Sequence, residues 1–204
     1  MALIKAQIIS DAGAEAGYTL EQLLQALQHD EASCRRQAAR DLVAYPAASA
    51  ALFNQLAQEQ DTSVREVIFT SLTRIGNEEA VAGLITCLRS EDAMLRNEAI
   101  EAMKQLPQEM APIMSQLLHD PDSDVRIFAV NVLESLCHPE VENWLIEVIS
   151  QDCHVNVCAT AVDLLGEVGS PRAHDALQAL KQRFAGEPYI QFAADIALKR
   201  IAHV

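Results

Sequence analysis

Cys153, His154 and Cys158 stand close together in the stretch DCHVNVC. Thiolate and imidazole are the side chains that hold zinc, and a thiol beside a base can become a reactive thiolate. The cluster offers three ligands, one short of a closed zinc site, and no Lys or Arg stands near Cys158 to lower its pKa. Packing is therefore the reading that competes with a metal at Cys153, His154 and Cys158. A second group surrounds Trp144, the chain's single tryptophan, with Glu140, Glu142 and Glu147 in PEVENWLIEV. A large ring ringed by carboxylates has the make-up of an interface anchor for a basic partner segment. The competing reading is a ring that fills a gap between neighbouring elements, with acids that only solvate the face.

Catalytic patterns are otherwise missing. The six histidines (His29, His119, His138, His154, His174 and His203) are scattered, and no phosphate-binding loop, GxSxG elbow or HExxH occurs. No catalytic residue and no cofactor is expected.

The elements that would position these groups recur along the chain. Taking Arg126 in DPDSDVRIFAV as zero, the same phrase returns at Arg35, Arg65, Arg96, Cys158 and Gln191, in steps of 30 to 33 residues. The residue before zero and those 3, 7 and 10 after it are apolar in all six copies, in a chain only 50% apolar. Those offsets share one face of a 3.6-residue helix. Breakers follow: Pro46, Gly76, Pro107, His138-Pro139 and Ser170-Pro171. Then comes a second periodic segment whose inward face opens with Ala50, Ala80, Ala111, Val141 and Ala173 and closes with Ala57, Cys87, Leu118, Val148 and Leu180. Trp144 takes the same place in its segment as Gly83 and Ala176. Helix, turn, helix in about 31 residues cannot bury its own apolar faces, so neighbours must stack.

Caps fit this division. Thr19 to Gln22 form a capping-box pattern, and Asn77 and Ser170-Pro171 open later helices. Asp61, Asp92 and Asp122 stand four residues before Arg65, Arg96 and Arg126. There an acid meets the unpaired N–H groups of a first turn, and the arginine can pair with it or with its counterpart in the next unit. We read this ladder as structural.

Composition limits the function. With 4% aromatic residues, packing rests on Ala, Leu, Val and Ile. The formal charge of −14 is spread evenly and repels phosphate backbones and anionic lipids, so neither nucleic acid nor membrane is an expected partner. Between Arg126 and Arg172 there is no Lys or Arg at all, against seven acids. Five cysteines without a CxxC pair fit a reducing compartment, and the start MALIKAQIISDAGAEAG lacks a signal-peptide pattern, so a cytoplasmic location is expected.

The phrases DTSVREVI, DAMLRNEA and DSDVRIFA resemble the HEAT repeat, the first departing with Ile68 where the family carries alanine. The short period resembles HEAT-like repeats of the phycobilisome-lyase type. The resemblance covers about residues 20–202. It implies an all-α, right-handed α-solenoid of about six helical hairpins. It also implies a protein-binding scaffold or adaptor that uses the inner, second-helix face, or, as the alternative, a lyase-type or chaperone subunit for a tetrapyrrole-carrying protein. Residues 1–18 would be an extension or cap and 19–204 a single repeat domain. The HEAT-type di-iron hydroxylases bind metal through His-Glu dipeptides, and none occurs here.

Overall fold

The computed structural model of the protein describes residues 17–202. The expected extension therefore lies outside the described residues except for its last two, as does His203. Every regular element among the described residues is helical, and the fold is an all-α solenoid of helical hairpins. A leading helix α1 (Leu20–Ala26) precedes five hairpins: α2 (Ala32–Asp41) with α3 (Ser49–Leu56), α4 (Thr62–Ile75) with α5 (Glu78–Cys87), α6 (Ala93–Lys104) with α7 (Pro107–Leu118), α8 (Ser123–Leu133) with α9 (Val141–Gln151), and α10 (Val155–Val168) with α11 (His174–Arg183). Helix α12 (Pro188–Ile201) follows. The contacts gather into two compact units that divide between Ala102 and Met103. In the first, α2 packs on α4 and α3 on α5. In the second, α10 lies between α8 and α12, while α9 packs on α7 and α11.

The caps form as the sequence predicts. Thr19 Oγ1 accepts from Gln22 N, and Gln22 Oε1 accepts from Thr19 N at 2.9 Å. Asp61, Asp92 and Asp122 each accept a first-turn N–H at 2.9 Å. Glu31 and Glu187 occupy the same place without capping, because a glutamate carries one methylene too many for that short ring. Gly76 closes α4 in the left-handed region, at φ 57°, where a Cβ would be strained.

The apolar columns are largely buried. The residues three after zero, Ala38, Ile68, Ala99, Ala129, Ala161 and Ala194, are each 2% exposed or less. Mostly alanines, they let helices approach closely. Two departures have local causes. Val168 is 47% exposed because it is the last residue of α10, and the chain leaves it in extended conformation at Gly169. In the first hairpin the expected inward residues Ala50 and Ala57 face solvent. Two 3₁₀ segments, Leu42–Ala44 and Pro46–Ala48, replace the single tight turn there, and they shift the face by one residue to Ser49, Leu52 and Leu56. Buried Ser49 is satisfied by Asn77 Oδ1 at 2.9 Å and Pro46 O at 3.0 Å.

The arginine at zero is a clamp. In Arg35, Nη1 donates to the carbonyls of His29 and Asp30, in the loop between α1 and α2. Nε and Nη2 grip Glu59 in the next loop, both at 2.7 Å. Arg126 repeats the device, with Nη1 on Asp120 O and Nε and Nη2 on Asp152 at 2.6 and 3.1 Å. Arg65 reaches the next cap, Asp92, at 2.7 Å. Arg65 thus meets the acid of the next unit's cap, whereas Arg35 and Arg126 select a carboxylate two residues ahead of the cap. That carboxylate also accepts from the backbone of the turn, Glu59 from Asp61 N and Asp152 from His154 N. One carboxylate thereby joins two repeats and orders the loop between them.

Candidate partner-binding groove

The ring of Trp144 sits on α9 beside the C-terminal end of α7, in the second-helix layer of the second unit. The same register position is held by Phe53 on α3, Gly83 on α5, Met114 on α7 and Ala176 on α11. At Gly83 an added Cβ would meet the ring of Phe53 at 2.9 Å, so the α3–α5 seam is closed from the earlier helix. In the second unit both α7 and α9 carry a large residue at this register: Met114 is fully buried and Trp144 is not. His138, in the turn before α9, stacks on Trp144 with centroids 5.1 Å apart and planes 11° from parallel. The tryptophan is half-buried, so gap filling accounts for part of the ring and leaves part of it presented.

Beside it lies a groove of about 260 Å³, lined among others by Leu118, His119, Trp144, Glu147, Asp152 and Cys153. Helix α7 delivers Leu118 and His119 because it ends there; α9 delivers Trp144 and Glu147 one turn apart on one side. His119 Nδ1 lies 2.8 Å from Ser115 O, which fixes the ring, and its Nε2 faces Glu147 Oε1 at 3.4 Å, an ion pair only when the imidazole is protonated. Asp152 is held below the ordinary carboxylate range: burial pushes it up, but the hydrogen bonds from Arg126 and the His154 backbone outweigh burial. It is committed to the clamp with Arg126, which also lines the groove; Glu147 and Asp120 are the other carboxylates there.

The other residues expected around Trp144 divide. Glu140 is exposed at the start of α9 and accepts from Asn143 Nδ2 at 2.9 Å. Glu142 turns away: it accepts from Ser170 N at 2.6 Å and pairs with Arg172 at 3.5 Å, tying α9 to the cap that starts the next second helix. Its charge is used inside the stack.

Cys153, His154 and Cys158 do not assemble a ligand set. Among the described residues, only His29, Glu31 and Cys34 bring three such ligand atoms within 4.8 Å of one another. Even there His29 Nδ1 already accepts from Glu31 N at 3.0 Å, so the lone pair is engaged. Cys158 is fully buried and its Sγ lies 3.3 Å from Asp152 O, the carbonyl that corresponds to the one Arg126 caps a unit earlier. Burial pushes its thiol up, against the pull of Arg183. Arg183, at the end of α11, reaches back to this point. Its Nη2 donates to Ile149 O at 2.7 Å and Asp152 O at 2.9 Å and lies 3.5 Å from the sulfur, and Nη1 donates to Ser150 O. Where the fifth copy has lost its arginine at zero, another one arrives from the end of the second helix of the same hairpin. Sequence inspection misses Arg183 because the contact spans about 30 residues with no local pattern; its place in a helix's last turn is the only signal.

The family model for HEAT repeats matches residues 20–104 and 110–199. Among curated proteins, the "Uncharacterized phycocyanin operon protein Z" of Pseudanabaena tenuis is 24% identical over 196 residues, spanning 91% of this chain and 96% of that one. The "Bilin biosynthesis protein PecE" of Mastigocladus laminosus is 30% identical over 151 residues, 72% of this chain but 56% of that protein. Among solved structures, the HEAT-like repeats protein of Thermococcus onnurineus superposes with a TM-score of 0.50 over 97% of this chain and 90% of that one, at 17% identity. With its helical hairpins, arginine clamps and buried alanine column, the chain belongs to the HEAT-repeat family.

Proposed function

We propose that this protein is a non-enzymatic, protein-binding scaffold or adaptor. It receives a basic or mixed-charge segment of its partner in the groove beside Trp144. The observation that carries the reading is the half-buried Trp144, its ring stacked on His138, next to a groove lined by the carboxylates of Asp120, Glu147 and Asp152. Aromatic anchors in partly desolvated seams supply much of the binding energy of protein interfaces, and rim carboxylates choose a cationic partner.

A second reading is favoured by the relatives: service to a tetrapyrrole-carrying protein, as a lyase-type or chaperone subunit. Two curated relatives carry phycocyanin and bilin in their names. This reading also requires a protein partner and names one by class.

A photo-activatable cross-linker placed at Gln151, on the groove, and at Glu66, on the outer side of α4, tests the first reading in cells. A discrete partner captured from Gln151, not from Glu66, and lost with Trp144→Ala is the expected result. Equal capture from both positions would overturn it. Visible absorbance of the purified chain after mixing with a bilin and a bilin-free phycocyanin polypeptide tests the second: accelerated, correct attachment supports it, and unchanged kinetics overturn it.

A further inference from the structure

The outer column of the first helices changes character at the end of the repeats. Two residues before zero stand Ser33, Ser63, Met94, Asp124 and Asn156, and then Tyr189. One residue after zero stand Arg36, Glu66, Asn97, Ile127 and Ala159, and then Phe192. Five after zero stand Arg40, Thr70, Glu101, Asn131 and Asp163, and then Ile196. On α12 these three share a face, and Tyr189 and Phe192 are 55% and 62% exposed. The chain has only nine aromatic residues of the Phe, Tyr and Trp types, so two rings left in water on one helix face are burial forgone.

Between α10 and α12 this face borders a groove of about 250 Å³. That is smaller than the roughly 300–1,000 Å³ of small-molecule sites and suits one or two side chains. Asp163 and Glu167, one turn apart on α10, form one wall, and Tyr189 Oη donates to Asp163 Oδ2 at 2.6 Å, which fixes that ring at the rim. Helix α10 carries no base. Arg200 of α12 also lines the groove, its Nη1 donating to Gly166 O at 3.4 Å, and on α11 Lys181 pairs with Asp195 of α12. Two ring faces beside two carboxylates make a receptor for a guanidinium, which stacks on the rings while it pairs with the acids. A second copy is a poor occupant, because each chain carries a net charge of −14.

We infer that the α10–α12 groove is a second docking surface, which takes an arginine-bearing, amphipathic helical segment of a basic partner protein. The arginine stacks between Tyr189 and Phe192 and pairs with Glu167, and the segment's aliphatic side chains cover Phe192 and Ile196. This surface stands apart from the Trp144 groove, and failure of either leaves the other untouched.

The test uses the full ¹⁵N-labelled chain and a synthetic sixteen-residue helical peptide with arginine and leucine spaced four apart, followed by NMR. We expect shift changes on α10 and α12. Affinity should fall at least tenfold in Phe192→Ser and in Glu167→Lys and stay within twofold in Trp144→Ala. Shift changes confined to other helices overturn the inference. So does retained affinity in Phe192→Ser and Glu167→Lys, equal binding of the matching glutamate–leucine peptide, or a wild-type dimer that Phe192→Ser dissociates. Should Phe192→Ser lose its dispersed spectrum, Glu167→Lys, which changes only the rim, decides.

Discussion

The joint at Arg35 and the joint at Cys158 do the same mechanical task with different parts. At the first, one residue caps the preceding carbonyls and grips Glu59, and both side chains are shielded from solvent. At the second, the zero position holds a small buried thiol, and the guanidinium is sent from Arg183, at the other end of the same hairpin. At these two joints a cation covers the carbonyls and its source is free to move; at the end of α11 the neutral amide of Gln191 does the task, donating to Lys181 O and Phe184 O. A sequence exception that suggests metal or thiol chemistry is here a relocation of an arginine.

The sharpest way to break the comparison is Arg35→Ala. It strands a buried glutamate without its partner, and a loss of ~3–5 kcal/mol is expected from urea unfolding of the whole chain. Arg183→Ala should cost less, ~2 kcal/mol, since it uncovers backbone carbonyls at a helix end and leaves no buried charge alone. Adding Cys158→Arg to Arg183→Ala should return most of that loss, whereas Cys158→Arg by itself crowds a full core and destabilises by ~1–3 kcal/mol. If the double variant is no better than Arg183→Ala, the two joints are not equivalent.

A pH series separates the joints further. Arg35, helped by Gln55 and the turn backbone and opposed by burial, holds Glu59 down to about 2. A carboxylate held low contributes its stability in full above its ordinary value near 4.5 and loses it as pH falls through about 2. Acid unfolding of the wild type should therefore steepen across that window, and Glu59→Gln should flatten it. Cys158 has no titration there, so Arg183→Ala should shift the curve without changing its slope. The smallest effect is expected for Cys158→Ser, within about 1 kcal/mol, because the hydroxyl keeps the contact to Asp152 O.

The sequence carries the fold through features that act at short range. The alanine column three after zero is a helical period, and the caps at Thr19, Asp61, Asp92, Asp122, Asn77 and Ser170 are contacts over two or three residues. The inward face of α3 was hidden because it depends on two 3₁₀ turns whose summed rotation no single residue encodes. The site is less legible. Trp144 shows its type and charged neighbours in the sequence, yet how much of its ring is buried is set only when the helices stack. Glu142 looks like a rim acid and is an internal tie, because Ser170 comes into reach only after stacking.

Arg183 sets a limit on rearranging the protein. A copy of the repeat that contains its own clamp is a cassette: its neighbours can be exchanged for others that offer a carboxylate in the right loop. The α10–α11 hairpin is on loan to the one before it. Separate α11 from α9 and three carbonyls stand uncovered behind the undersized sulfur of α10, so recombination at that point must carry α8 to α11 as one inherited block.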